Sequence, residues 1–251
     1  FDLIHNQFDF LPLTYSRLVN TPVLTTIHGF SSPKILAVYK KYNRACRYVS
    51  ISNADRSPEL TYEATVYHGI DTSGIPFHDS PGGDYLAYFG RFHPDKGARE
   101  AVEIARRTGK ELVMAGVIQD HRYFEEHVVP AVNEGRVQYL GSIGPDRRNE
   151  LLGNARALLH PISFDEPFGL SIIESMACGT PVIAFNRGSM PELIEHGKTG
   201  FLVSSVEKAV SCVERLDEID RRACRTVAEE RFTKERMAEE YIGLYTKLLS
   251  V

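Results

Sequence analysis

Tryptophan is absent from the 251 residues and cysteine occurs only four times, at Cys46, Cys178, Cys212 and Cys224. Four scattered thiols show neither the paired C-x-x-C spacing of a zinc or redox motif nor the density of a disulfide scaffold. They fit reduced side chains in a cytosol-like compartment, so a cytoplasmic location is expected. Long apolar runs are also lacking, and nothing approaches the roughly 20 residues a membrane helix needs. The opening residues lack the pattern of a secretory leader. Charge of one sign is not in excess: the formal net charge is −4, and no Lys/Arg run interleaves with aromatics. A nucleic-acid partner is excluded on that ground. Internal repeats and low-complexity tracts are missing too. What remains is an ordinary globular composition, 43% hydrophobic and 25% charged, able to bury a core.

Short apolar runs alternate with helical patterns almost from end to end, the habit of parallel sheets wrapped by helices. Strands are predicted at Asp2–His5, Val23–His28, Arg47–Ser52 and Ala64–Tyr67, with helices over Leu11–Val19 and Lys34–Asn43. The stretch DTSGIPFHDSPGGD, Asp71 to Asp84, concentrates Gly, Pro, Ser and Asp and is expected to be an exposed linker. Beyond it six more strands are predicted, at Tyr85–Phe89, Leu112–Ala115, Val137–Leu140, Ala157–Pro161, Val182–Phe185 and Phe201–Val203. Helices fall between them at Ala98–Arg107, Arg122–Asn133, Arg147–Asn154, Ser171–Cys178 and Met190–Glu195, and from Val206 the text is helical to its end. Near that end Phe232, Met237, Tyr241, Leu244, Tyr245 and Leu248 form an apolar stripe that must dock on something.

Two loops at the carboxyl ends of predicted strands carry chemistry. In FDEPFGLSIIESMACGTP, the turn before the helix holds Glu166, with Glu174 about one turn into that helix. The amides of Phe168, Gly169 and Leu170 are expected as unpaired first-turn donors, where the helix dipole favours a phosphate. A carboxylate on each side of a diphosphate could hydrogen-bond sugar hydroxyls on both of its flanks. The competing reading makes Glu166 a dipole-favouring surface charge and Glu174 a solvated helix residue. In YFGRFHPDKG, Gly90 to Gly97 form a second such loop, in which Arg91 and Lys96 could neutralise a diphosphate. Its competing reading is a solvated basic loop.

These residues resemble a known family. GRFHPDKG, the two glutamates of EPFGLSIIE, and SMACGTPVIAFNRGSMPELIEHGKTGFLV look like the nucleotide-sugar domain of retaining glycosyltransferases of family 4, which have the GT-B fold. The likeness is close from Tyr85 to about Val203. It is looser upstream, where FDLIHNQ, TTIHG, YVSIS and VYHGID look like later strands of the family's acceptor-side domain. The segment RFTKERMAEEYIGLYTKLL is similar to the family's final helix, which crosses back onto the first domain.

The resemblance implies two Rossmann-like domains. Residues 1–76 with the crossing helix 232–251 would be a partial acceptor-side domain, and residues 82–230 the nucleotide-sugar domain. It implies that Arg91 and Lys96 hold the donor diphosphate and stabilise the leaving group. Glu166 would bind the donor sugar nearest the reacting carbon, and Phe168, Gly169 and Leu170 would touch sugar and phosphate. Glu174 would take the ribose hydroxyls. The nucleobase would lie near Val117, Gly141 and Ser142, with Gly90 in the phosphate loop. His28 matches a family histidine near the donor, although a satisfied strand-end histidine is an equal reading. The other histidines carry no signal.

No cofactor is expected, because the nucleotide sugar is a substrate: a UDP-sugar first, GDP-mannose next. No metal is expected either, since no aspartate pair or histidine cluster has ligand spacing. The acceptor, whether sugar, lipid or small molecule, cannot be read, and peripheral membrane contact is an expectation for a full-length protein. The family's opening strand and Gly-rich loop have no counterpart, so the N-terminal domain is expected to be incomplete. Two other functions stay open: a nucleotide-sugar binding module without turnover, and a GT-B nucleotide-sugar epimerase.

Overall fold

The computed structural model describes residues 1–29 and 33–250. The chain divides into two compact units, Phe1–Gly69 with Phe232–Val251, and Ile70–Arg231.

The first unit is built on four parallel strands, β1 (Ile4–Asn6), β2 (Val23–Ile27), β3 (Arg47–Ser50) and β4 (Tyr62–Thr65), hydrogen-bonded in chain order. Successive residues of a strand face opposite sides, and this sheet uses both. Val23 and Ile27 pack with Leu13, Tyr39 and Tyr48 under helix α1 (Leu36–Tyr42). Leu24 and Val49 instead meet Leu244 of the terminal helix, Lys234–Leu249, along with Met237, Tyr241, Tyr245 and Leu248. The apolar stripe thus finds its partner on this sheet. Thr233 caps that helix by accepting from the Arg236 amide.

The second unit carries six parallel strands: β5 (Tyr85–Phe89), β6 (Glu111–Ala115), β7 (Val137–Tyr139), β8 (Ala157–His160), β9 (Val182–Phe185) and β10 (Gly200–Val203). Their spatial order is β10-β9-β8-β5-β6-β7. After β7 the chain therefore returns to the far side of β5 and continues in the opposite direction. That reversal between β5 and β8 is a topological switch point, the place where open α/β sheets bind ligands at their carboxyl edge. β8 is buried throughout, as a central strand covered on both faces must be.

Helices α2 (Ala98–Thr108), α3 (His121–His127), α4 (Val129–Asn133), α5 (Pro145–Asn154), α6 (Leu170–Ala177), α7 (Met190–Leu193), α8 (Val206–Val213) and α9 (Arg221–Arg231) flank this sheet, and the terminal helix is α10. α2 shows why such segments are helical: Ala98, Ala101, Ile104 and Ala105 share one buried stripe, and Gly109 closes the helix.

Several expectations are corrected. The segment 71–84 is not a free linker. Arg225 donates to the carbonyls of Thr72 and Ile75, Arg221 donates to that of His78, and the His78 amide donates to the Cys178 carbonyl. It is part of the second unit, and the division falls at Gly69/Ile70. Leu11–Leu18 winds as a 3-10 helix, not an α-helix. The strand expected at Ala64–Tyr67 lies at Tyr62–Thr65. The helix expected at Arg122–Asn133 is broken into α3 and α4 at Val128, where Pro130 lacks the amide to continue the ladder. The long helical text after Val206 is three helices interrupted near Leu216–Glu218 and at Phe232–Thr233.

Candidate functional site

The loops after β5 and β8 meet across the switch point. The Ser163 amide donates to the Asp95 carbonyl at 2.9 Å. Gly97 stands in the left-handed region, φ +73, and a Cβ there would lie 2.0 Å from the Pro161 carbonyl oxygen. Only glycine allows the two backbones to approach this closely. The result brings Lys96 of one loop against Glu166 of the other in a direct ion pair, with 13% and 14% of their side chains exposed. Lys96 Nζ also lies 4.5 Å from the centre of the Phe164 ring. Neither side chain is the solvated surface charge of the competing reading.

A second residue faces the same carboxylate. His160, the last residue of β8, is 6% exposed and its Nε2 lies 3.7 Å from Glu166 Oε2. That separation is too long for a hydrogen bond. Burial alone would push the Glu166 carboxyl up, but His160 and Lys96 outweigh it and hold it down at about 2. The loop that presents Glu166 is itself fixed from the start of α7: Ser189 donates through its amide and its hydroxyl to the Glu166 carbonyl, and its hydroxyl also reaches the Phe168 carbonyl.

Helix α6 begins at Leu170, one residue earlier than expected, with Gly169 as its cap at φ +111 and no side-chain capping bond. A Cβ at Gly169 would meet Met190 Cε at 3.0 Å in a conformation that L side chains rarely adopt. Phe168 precedes the cap and is 3% exposed, so it is a core residue under the loop, not a member of the helix's first turn. Leu170 is exposed at the helix start.

Glu174 is also paired. Arg148, from α5, donates to its Oε1 at 2.6 Å, and both side chains are largely buried. Desolvation raises the Glu174 carboxyl while Arg148 opposes the shift, and burial prevails. Arg91 is exposed and donates to Gln119. Its carbonyl accepts from the Tyr88 hydroxyl at 2.9 Å.

The remaining candidates lie along the adjoining strand ends. The Gly90 amide donates to the Ala115 carbonyl at 3.1 Å, and the Gly116 amide to the Gly141 carbonyl at 2.9 Å. Tyr139 donates through its hydroxyl to the Gly116 carbonyl. Val117, 56% exposed, Gly141 and Ser142 follow directly on β6 and β7. The sequence reading missed Arg148, His160, Gln119 and Ser189. Arg148 sits in DRRNE, text of a surface helix, and His160 in an apolar strand, so neither carried a local signal.

His28 belongs to the first unit, just after β2. Its Nε2 lies 2.7 Å from Gln7 Oε1, and its ring stacks on that of His68 with centroids 5.2 Å apart and planes 6° from parallel. Gln7 Nε2 in turn lies 3.0 Å from His5 Nε2, and His5 Nδ1 lies 2.6 Å from the Tyr245 hydroxyl. Burial lowers the His28 imidazole, and burial with the charge of His28 lowers His68 to about 4. Among the described residues, no group of three or more His, Cys, Asp or Glu side chains could hold a metal ion, and no helix is long and apolar enough to cross a membrane.

A family model described as glycosyl transferases group 1 matches residues 77–227. A probable sucrose-phosphate synthase of Thermosipho melanesiensis is 26% identical over 194 residues, 72% of this chain and 45% of the relative. O-antigen chain mannosyltransferase B of Escherichia coli is 28% identical over 196 residues, 72% of this chain and 47% of the relative. The chain thus spans about half the length of the curated relatives it matches. Among solved structures, Anabaena HepE in complex with UDP superimposes with a TM-score of 0.84 at 21% identity, over 98% of this chain and 79% of that one. At that identity the likeness bears on the α/β fold alone.

Proposed function

The chain belongs to the group 1 glycosyl transferases, and from that premise we propose that it moves a hexosyl group from a nucleoside diphosphate sugar to an acceptor with retention of anomeric configuration. The observation that carries the reading is the part-buried ion pair of Lys96 and Glu166 at the β5/β8 switch point. A part-buried cation on one loop and a part-buried carboxylate on the other, beside the start of α6, form a site able to take a diphosphate and a sugar together.

In this reading Lys96 and Arg91 bind the diphosphate and steady the charge that develops on the departing oxygen. Glu166 accepts from donor-sugar hydroxyls, ionised because its pKa is held down. Gly169 and Leu170, at the start of α6 where no side chain caps the helix, offer amides to the phosphate or sugar. Glu174 takes ribose hydroxyls through the oxygen that Arg148 leaves free. Gly90, Val117, Gly141 and Ser142 border the nucleobase. For His28, in the first unit, a hydrogen bond to a donor hydroxyl or phosphate oxygen rests on the family resemblance alone. No carboxylate is identified as a nucleophile, so the departing phosphate oxygen takes the acceptor's proton in a same-face substitution. A UDP-sugar is the first donor to test, because HepE was solved with UDP; GDP-mannose is next, because one relative is named a mannosyltransferase.

The test is release of nucleoside diphosphate from a panel of UDP- and GDP-sugars, with and without acceptor mixtures. Acceptor-dependent release from one donor is expected. Saturable donor binding without any release would select a binding module instead.

A further inference from the structure

Lys96 pairs with one oxygen of Glu166, Oε2, and an ammonium drawn toward a diphosphate gives up part of that pairing. Its ammonium is paired with Glu166 Oε2, and both side chains are largely buried. Drawing a cation away from a buried carboxylate leaves an uncompensated charge, which is among the costliest single changes a protein interior can suffer. The loop therefore needs a second partner for that oxygen. One stands ready: His160 Nε2 is buried, has no hydrogen-bond partner and lies 3.7 Å from the same Oε2 atom. A ring nitrogen with its lone pair turned to a carboxylate is repelled, so the nitrogen facing Glu166 is the one that bears hydrogen. A movement of under one ångström would bring it within bonding range.

We propose that His160 is a positioning residue that takes over Glu166 Oε2 when Lys96 turns to the donor diphosphate, an exchange of partners that keeps Glu166 ionised and oriented toward the sugar. This rests on the donor-binding reading above. The exchange gives the buried histidine a purpose that strand packing does not explain, since an apolar residue would fill the end of β8 without an unpartnered nitrogen.

The experiment follows the ring nitrogens of His160 by NMR in protein labelled with 15N-histidine, assigned with His160→Gln. Saturating UDP or GDP is expected to make the Nε2 proton slow to exchange and to move it downfield. Lys96→Met should produce the same signature with no ligand present, because it removes the ammonium directly. His160→Leu is expected to weaken nucleotide binding about tenfold, and His160→Gln, which keeps an N–H donor, to restore most of it. An unchanged His160 signal in Lys96→Met overturns the exchange whatever the protein binds. So does nucleotide binding that leaves the signal unmoved, or His160→Leu binding as tightly as the parent protein. If Lys96→Met shows the signature but no nucleotide binds, the donor-site reading fails, and the diphosphate as trigger fails with it.

Discussion

Arg148 Nη1 donates to Glu174 Oε1 at 2.6 Å, and the two side chains retain only 17% and 13% of their exposure. The pair joins α5 to α6 and aims the carboxylate that the donor reading assigns to the ribose. Arg148→Met should leave a buried carboxylate without its cation. Loss of one partner of such a pair costs about 3–5 kcal/mol when fully buried, and about 1–3 kcal/mol is expected for this partly solvated one. Nucleotide affinity should fall with it, because Glu174 would take up a proton more readily. Urea unfolding together with calorimetric titration of UDP and GDP checks both effects.

Lys96→Ala should abolish most turnover. It should also change the acid stability of the second unit. The folded pKa of Glu166 is depressed to about 2 from an ordinary 4.5, so its ionisation contributes stability that is complete above 4.5 and is lost as pH falls toward 2. Without Lys96 the folded pKa rises, and burial then works unopposed except for His160. The variant's stability near pH 5 should therefore drop, whereas the parent protein should hold until lower pH. Thermal melts between pH 3 and 7 compare the two; coincident curves would count against the ion pair.

Much of the second unit was legible in the sequence because local signals agreed with the global fold. The five apolar residues of Tyr85–Phe89 and the four of Val182–Phe185 are strands with the predicted bounds. Both candidate loops were placed at strand ends, and the structure brings Lys96 and Glu166 together. What could not be read is strand order: that β8 lies beside β5 depends on pairings between residues far apart in the chain, such as Leu86 with Ala157, and no local pattern records them. The partners Arg148 and His160 escaped for the same reason. The segment 71–84 was misread because its Gly, Pro and Asp residues are indeed extended and turning, yet the arginines that hold it, Arg221 and Arg225, come from a helix some 150 residues later.

That grip is testable. Arg225 donates to Thr72, Ile75 and Ala177 carbonyls, and Arg225→Ala would leave three carbonyls on partly buried backbone without it. A loss of about 1–3 kcal/mol is expected. Proteolysis should then cut preferentially within residues 71–84, and mass spectrometry of the fragments locates the cut. Cleavage spread evenly over the chain would contradict a local tether.

In the first unit the histidines set a pH dependence of the same sign in a higher pH window. His68 is held at about 4 by burial and by His28, against an ordinary 6.5. The unfolded chain therefore binds more protons than the folded one between those values, and stability rises with pH across that window. The first unit should be fully stable above pH 6.5 and lose stability as pH falls toward 4. His68→Asn should flatten this dependence, and His28→Asn should flatten it less, because it leaves the dominant burial of His68 in place. Hydrogen exchange of β2 and β3 amides at pH 5 and 7 reads the effect in this unit alone. Protection that is equal at the two pH values would sink the assignment.

Gly97 carries the close approach on which the candidate site depends. Its φ of +73, and the 2.0 Å that would separate an added Cβ from the Pro161 carbonyl oxygen, leave no room for a side chain. The obstacle is backbone, which cannot swing aside as a flexible side chain can, so Gly97→Ala must push the β5 loop away from the β8 loop. Strain of about 1–3 kcal/mol is expected from the backbone conformation alone, with the steric clash in addition. Separation of the loops should also stretch the Lys96 to Glu166 contact. Gly97→Ala is therefore expected to lower both stability and nucleotide affinity. Gly109→Ala is the control: its φ of +69 is nearly the same, but nothing lies within 4 Å of the added carbon. It should cost backbone strain and leave nucleotide affinity unchanged. Denaturant melts and nucleotide titrations of the two variants separate the terms, and equal affinities would show that the loops need not touch for the site to bind.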